Sequence, residues 1–331
     1  MDKTKNTKRK LSYGLLIILL VILLLSSAFL LLNYLEKNNG LFPVHSENTD
    51  NSIVVDGVKY VPNENVQGIL LLGLDKFDDA VDDTGYYNNQ QADFIMLFVL
   101  DNENETYSAI QLNRDTMAQI NVLGVAGEKV DTVTEQLALA HTYGNGKEVS
   151  CRNAADAVSS VLNDIKIDRY VSVTMDAIPV ITDLVGGVEV EVKDDFSGID
   201  ETLVQGERVI LDSNNVLNFV RTRYGMEDSS NTARMVRQQD YLVSLFETFE
   251  EKANSDDNFI FNASLELSDY IVSNYTLTQL ENLVDNLSDY KFDKIYSIEG
   301  ESKVGEKYME FYADKDSVTE IVTKLFYVPE K

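Results

Sequence analysis

Beyond residue 66 the chain alternates between short apolar runs and longer stretches whose apolar residues recur every three or four positions. GILLLGLD (residues 68–75) and DFIMLFVLD (residues 93–101) are nearly uninterrupted, the pattern of strands buried on both faces. TYSAIQLN (residues 106–113) alternates and predicts a third strand, joined to the second by the polar turn NENE. YVSVTM (residues 170–175) and GVEVEV (residues 187–192) predict two more. Helical periodicity occupies residues 133–141, 152–163, 176–184, 213–219 and 234–252. Strands interleaved with helices predict an α/β fold, an α/β/α layered domain whose helices cover both faces of a central sheet. The NENE hairpin makes that sheet mixed. Past residue 252 a polar stretch leads to an amphipathic LTQLENLVDNL, strand-like KIYSIEG and YMEFYA, and a final VTKLFYV. This tail reads as completion of the same layers, not as a second domain.

The N-terminal pattern differs. MDKTKNTKRK (residues 1–10) carries five positive charges and one negative, and the next 22 residues, LSYGLLIILLVILLLSSAFLLL, carry none. As a helix this run (residues 11–32) measures roughly 33 Å at about 1.5 Å per residue, enough for a bilayer core. The basic flank stays cytoplasmic. A cleaved signal peptide is the alternative, with SSA at residues 26–28 as its cleavage site. Its apolar region usually spans only about 7–15 residues, and the run here continues past SSA. The expected organisation is a basic cytoplasmic end (1–10), a single-pass transmembrane anchor (11–32), a juxtamembrane linker and lead-in segment (33–65), and an extracellular domain (66–331). Folded structure is expected in earnest from about residue 66.

Composition narrows the chemistry. With 331 residues, 44% of them apolar, the chain can bury a full core. A net charge of −27 argues against nucleic acid as a partner. The single cysteine, Cys151, excludes an intrachain disulfide and a cysteine metal cage, and reads as a small residue without a role. His45 and His141 are too far apart in sequence to suggest a zinc site; His141 falls near a predicted helix end, where positive charge is favourable.

Arginine is the exception to the acidic balance. Four of nine arginines, Arg221, Arg223, Arg234 and Arg237, fall within 17 residues of FVRTRYGMEDSSNTARMVRQQ. Such concentration suggests bidentate recognition of phosphate or carboxylate; a structural ion-pair network with the chain's many acids is the other reading. Asp75 ends the first apolar run, Asp93 opens the second, and Arg114 and Asp115 follow the third. Ligands of α/β sheets collect at such strand ends, although aspartate there also serves turns and caps. Carboxylates beside arginines fit a diphosphate with a hard divalent ion.

In order and spacing, ILLLGLD, ADFIMLFVL, LNRDT, YVSVTMDAI…LVGGVEVEV and FVRTR…ARMVRQQ resemble the LytR-CpsA-Psr family of bacterial envelope proteins. The resemblance covers residues 66–245 and extends more weakly toward residue 327. It implies a long apolar pocket for a polyprenyl chain. It also implies a membrane-anchored phosphotransferase moving a glycopolymer from a polyprenyl pyrophosphate carrier onto cell-wall peptidoglycan, with magnesium at the pyrophosphate. Residue by residue, it implies that Asp75 and Asp93 hold the metal. Arg114, Arg221 and Arg223 become catalytic groups that also bind pyrophosphate, alongside Gln91, Arg234, Arg237 and Gln238. The chain departs from the family at two positions: Gln91 stands where many members carry arginine, and Asn231 where many carry aspartate. A non-catalytic module binding polyprenyl lipid or wall is the alternative. A membrane-bound transcription regulator ranks last, because a basic DNA-binding segment is absent from the sequence. The apolar stripes read equally as ordinary core.

Overall fold

The structure, a computed structural model, describes residues 52–76, 88–167, 169–256, 258–275, 290–306 and 308–330. The expected anchor at residues 11–32 and the helical pattern at residues 277–287 lie outside them. No helix among the described residues is long and apolar enough to cross a membrane.

In chain order the strands are β1 (Ile53–Val55), β2 (Val58–Pro62), β3 (Val66–Lys76), β4 (Gln90–Asp101), β5 (Thr106–Leu112), β6 (Met117–Leu123), β7 (Lys129–Gln136) and β8 (Arg169–Thr174). They continue with β9 (Val188–Glu191), β10 (Arg208–Leu211), β11 (Ile271–Ser273), β12 (Lys291–Ser297), β13 (Gly300–Val304), β14 (Met309–Ala313) and β15 (Tyr327–Pro329). The helices are α1 (Glu148–Val161), α2 (Ala177–Leu184), α3 (Val216–Arg221), α4 (Asn231–Ser255), α5 (Phe259–Leu267) and α6 (Lys315–Phe326).

A central six-stranded sheet runs β11-β8-β3-β4-β5-β12. It is mixed: β3 is parallel to β8 and antiparallel to β4, while β5 is antiparallel to β4 and parallel to β12. The uninterrupted apolar runs follow from this position. Ile69, Leu71, Met96 and Phe98 feed one core, whereas Leu70, Leu72, Ile95 and Leu97 feed another on the opposite face. A strand buried on both sides has no polar face to alternate with. The NENE turn closes β4 onto β5, with the Asp101 carboxylate accepting from the backbone N–H groups of Glu103 and Asn104 at 3.0 Å each.

The first face is packed by α2, α3, α4 and α5 through residues such as Ile181, Phe219, Leu245 and Ala263. On the second face lie α1 and α6, through Val158 and Val322, together with the β6–β7 hairpin through Ala118 and Ile120. That hairpin corrects the helical reading of residues 133–141. Residues 133–136 belong to β7, paired with β6, and Leu137–Thr142 is a 3-10 turn. The β-branched sequence TVT favours a strand, and the apparent four-residue spacing spans two different elements.

GVEVEV does form a strand, but among the described residues β9 pairs only with β10, outside the central sheet. Its strict alternation, with Val188 and Val190 buried and the glutamates exposed, suits a strand with one wet face. Residues 53–62, within the expected lead-in segment, form β1 and β2, and β2 pairs with the last strand, β15.

Behind the sheet on its second face, His141 and Cys151 are fully buried. His141 Nδ1 lies 3.0 Å from the Gln90 carbonyl oxygen, and its Nε2 lies 3.7 Å from Cys151 Sγ. Burial lowers the His141 pKa to about 4 and pushes the Cys151 thiol up to about 12. His141 is therefore a neutral packing residue, and the favourable charge expected from a helix end is overridden by desolvation.

Candidate active site

The site begins where β3 and β4 reach the same edge of the sheet. Asp75 on β3 pairs in register with Gln91 on β4. Between them the ladder slips: Gly73 faces Phe94 and Leu74 faces Ala92, leaving Asp93 as the extra residue of a bulge. Bulges re-aim side chains. Gly73 makes the slip possible, because a Cβ there would sit 2.8 Å from that of Phe94. Next to this edge, β5 runs out into a tight turn. Asn113 Oδ1 accepts from the Asp115 N–H at 3.0 Å and the Thr116 hydroxyl donates to the Asn113 carbonyl at 2.6 Å, which fixes Arg114 and Asp115.

The arginine-rich stretch supplies the other wall. Arg221 is the last residue of α3, and Arg223 follows the turn. Ser230 caps α4 by accepting from the Ala233 N–H at 3.1 Å. From the second turn of α4 Arg237 reaches back to the end of α3. Its Nε donates to the Phe219 carbonyl at 2.9 Å, its Nη2 to the Thr222 carbonyl, and its Nη1 to Asp194 at 2.6 Å. A helix end leaves such carbonyls without intrahelical partners. Arg237, 3% exposed, satisfies them and sets the path of the segment carrying Arg221 and Arg223.

These elements enclose a polar cavity of about 840 Å³ lined by Asp75, Gln91, Asp93, Arg114, Arg221, Arg223 and Arg234, and also by Asp115. Arg114 donates to Asp93 and Gln91; Arg221 pairs with Asp75. Arg223 lies 3.3 Å from Asp115 and Arg234 3.4 Å from Asp93. Four arginines against three aspartates leave one positive charge in a chain of −27. The lattice is incomplete as well: the buried Nε of Arg234 makes no hydrogen bond, while that of Arg114 lies 3.5 Å from Asp115 Oδ1. Burial lowers the Arg234 pKa to about 10 and raises that of Asp115 against the pull of Arg114 and Arg223. Arg234 also sits in the first turn of α4, where the helix's own partial positive charge opposes it. An anion in the cavity would offset the surplus arginine charge.

Asn231 has a definite place. Its side chain accepts from Arg234 and donates to Asn113 Oδ1 at 2.6 Å, which a carboxylate could not do. Gln91 likewise serves as an acceptor for Arg114.

Arg237 and Gln238 do not line the polar cavity. Gln238 faces a neighbouring apolar pocket of about 110 Å³ between β3, β4 and β8 and helices α2, α4 and α5, walled by Leu71, Phe94, Ile178, Tyr241 and Leu245. Pocket and cavity adjoin along three chain segments: Gly73 and Asp75, Phe94 and Asp93, Val220 and Arg221 occupy opposite sides of the boundary. Nine of the sixteen cavity-lining residues were not marked as site residues by the sequence, among them Asp115, Gln136, Tyr224 and Tyr308. Asp115 and Tyr224 adjoin predicted arginines. Gln136 and Tyr308 carry no sequence signal.

Fold and site thus define a mixed α/β protein in which an arginine-rich cavity lies beside an apolar pocket. The LytR_cpsA_psr family profile matches residues 36–326, and the chain belongs to that family. Over 276 residues it is 26% identical to the cell wall biosynthesis protein LcpA of Corynebacterium glutamicum, covering 72% of this chain and 52% of that protein. Over 185 residues it is 28% identical to the polyisoprenyl-teichoic acid–peptidoglycan teichoic acid transferase TagU of Enterococcus faecalis, covering 55% of this chain and 54% of that protein. The chain spans about half the length of these relatives. Among solved structures, TagV of B. subtilis shares the fold with a TM-score of 0.58 at 22% identity, over 80% of this chain and 96% of that one.

Proposed function

We propose that this protein is a membrane-anchored phosphotransferase that moves a glycopolymer from a polyprenyl pyrophosphate carrier onto cell-wall peptidoglycan. One observation carries the reading: an apolar pocket lies beside a cavity whose four arginines outnumber its three aspartates. A polyprenyl pyrophosphate has that same polarity, an apolar chain ending in a dense anion. The names of LcpA and TagU agree with it.

In this reading the acceptor hydroxyl oxygen attacks the sugar-side phosphorus. The bridging P–O bond breaks, and polyprenyl monophosphate leaves with the electron pair. Arg114, Arg221 and Arg223 stabilise the charge growing on the departing phosphate, with Arg234 behind them. Asp115, its pKa raised by burial, is suited to take the hydroxyl proton. Arg237 and Gln238 act from outside the polar cavity, Arg237 by holding the arginine segment.

Among the described residues no three carboxylate, histidine or thiol groups converge as a ready metal cage. Two carboxylates suffice for magnesium when substrate phosphates complete the shell, and Asp75 and Asp93 supply hard oxygens in the same cavity. Magnesium bound there would neutralise phosphate charge.

The surrounding organisation follows the sequence: a cytoplasmic end (1–10), a transmembrane helix (11–32), a lead-in segment (33–65) and an extracellular α/β/α domain (66–331). Protease added to wall-stripped cells should digest everything beyond residue 35 or so; full protection would reverse the orientation. For the activity, the full chain in detergent is incubated with a pyrophosphate-linked lipid glycan and peptidoglycan. Release of lipid monophosphate together with glycan on the wall is the expected result. Tight lipid binding without turnover would instead establish the non-catalytic module.

A further inference from the structure

The polar cavity is larger than a diphosphate needs, and its outer wall is built from something other than arginine. The β13–β14 hairpin comes from the far end of the chain and gives little to the core: every residue of β13 is exposed, and in β14 only Phe311 is buried. A lone two-stranded hairpin is marginally stable in water. This one is fastened to the site itself. The Phe311 N–H donates to the Asp115 carbonyl at 2.8 Å, and Gln136 Nε2 bridges the Asp115 carboxylate at 2.8 Å and the Met309 carbonyl at 2.7 Å. The result is to hold Tyr308, 40% exposed, on the cavity wall.

Tyr224, on the same cavity, is 80% exposed. Its ring is fixed by Arg223, whose guanidinium carbon lies 5.1 Å from the ring centroid and whose Nη2 donates to the hydroxyl at 3.0 Å. Two tyrosines from remote parts of the chain therefore line one cavity while adding little to the core. Such a ring offers a flat apolar face with a polar tip. That suits the C–H face and hydroxyl edge of a neutral pyranose better than either a lipid chain or an anion.

We propose that Tyr224 and Tyr308 form a stacking site for a pyranose ring of the glycan, beside the arginines. The proposal rests on the reading of the cavity as a pyrophosphate site. The ring belongs either to the donor, as the sugar next to the diphosphate, or to the acceptor.

Calorimetric titration of the full chain in detergent micelles separates these cases. The probes are geranyl pyrophosphate, geranyl pyrophosphate bearing N-acetylglucosamine, and the free N-acetylglucosamine tetramer added with geranyl pyrophosphate saturating. Tyr308→Ala should bind bare geranyl pyrophosphate within about twofold of the wild type, whereas Tyr224→Ala also frees Arg223, so its sugar arms are read relative to its own affinity for geranyl pyrophosphate. Both variants should lose about 3- to 10-fold in one sugar arm, the range of an aromatic contact. Loss with the sugar-bearing pyrophosphate assigns the donor ring, and loss with the tetramer assigns the acceptor ring. Tyr224→Phe keeps the stacking face but loses the hydroxyl held by Arg223, and should fall between the wild type and Tyr224→Ala in the affected sugar arm. Unchanged affinity in both sugar arms, with geranyl pyrophosphate still bound, overturns the stacking site and leaves the pyrophosphate reading intact. Failure of the wild type to bind geranyl pyrophosphate overturns both.

Discussion

Two polar clusters border the central sheet, and they solve the problem of burial in opposite ways. Behind the second face, His141 meets Cys151, whose thiol donates to the Ser172 hydroxyl, and Ser172 donates in turn to the Val272 carbonyl at 3.5 Å. Desolvation keeps His141 and Cys151 uncharged. At the strand ends, four arginines and three aspartates remain as charges around a cavity, with the buried Nε of Arg234 lacking a hydrogen bond. Neutral groups that satisfy one another are a finished structure. Charges that do not balance need a further partner, and the fold tolerates them because that partner stabilises the assembly when bound.

Substitutions that exchange the expected behaviour of the two clusters would break this contrast. The largest effect belongs to Arg237, which lies near the charged cavity yet behaves structurally. Arg237→Ala strips Asp194 and two carbonyls of their partner, and loss of one member of a buried pair costs about 3–5 kcal/mol. Chemical denaturation should show a loss toward the lower end, because the Asp194 side chain is 33% exposed. A collapsed transfer rate at undiminished stability would instead place Arg237 on the anion.

The neutral cluster makes a prediction of similar size, confined to acid. The unfolded chain protonates His141 near its ordinary pKa of 6.5, while the folded chain resists until about 4. Stability from this group is complete above pH 6.5 and is lost as pH falls toward 4, by about 3 kcal/mol at ~1.36 kcal/mol per unit. His141→Gln should flatten that part of the stability–pH curve without slowing transfer at neutral pH. A slope that persists in the variant would assign acid sensitivity to another group.

The smallest effect sharpens the charged side. Arg223→Lys keeps the charge and loses the planar fork. Removing one charge-assisted hydrogen bond of about 1.5–3 kcal/mol should slow transfer by roughly 10- to 100-fold. Thermal stability should barely move. A normal rate with a lowered melting temperature would reduce Arg223 to an ion-pair residue, as in the finished cluster.

Much of this was legible in the chain. The buried strands announce themselves because side chains alternate between two faces, and a run with no polar positions has two apolar faces to fill. Strand ends and the local density of arginine single out Asp75, Asp93, Arg114, Arg221, Arg223 and Arg234, and all six line one cavity. The reading of residues 133–141 failed because helical spacing over nine residues also arises where a strand meets a turn.

What the sequence determined by itself was therefore the local and the periodic: which segments are buried, where charge abuts them, and which family they spell. The tertiary structure decided what each charged group meets. Arg234 and Arg237 share a helix face by their spacing, yet one lines the cavity and the other closes the end of α3. Helical periodicity fixes an angle around one axis and says nothing of what a neighbouring element places at that angle. The same holds for Asp93, turned by a bulge, for Asn231, paired with Asn113, and for Tyr308, carried to the arginines by a hairpin from the far end of the chain. Contacts between residues remote in sequence leave no mark in local pattern.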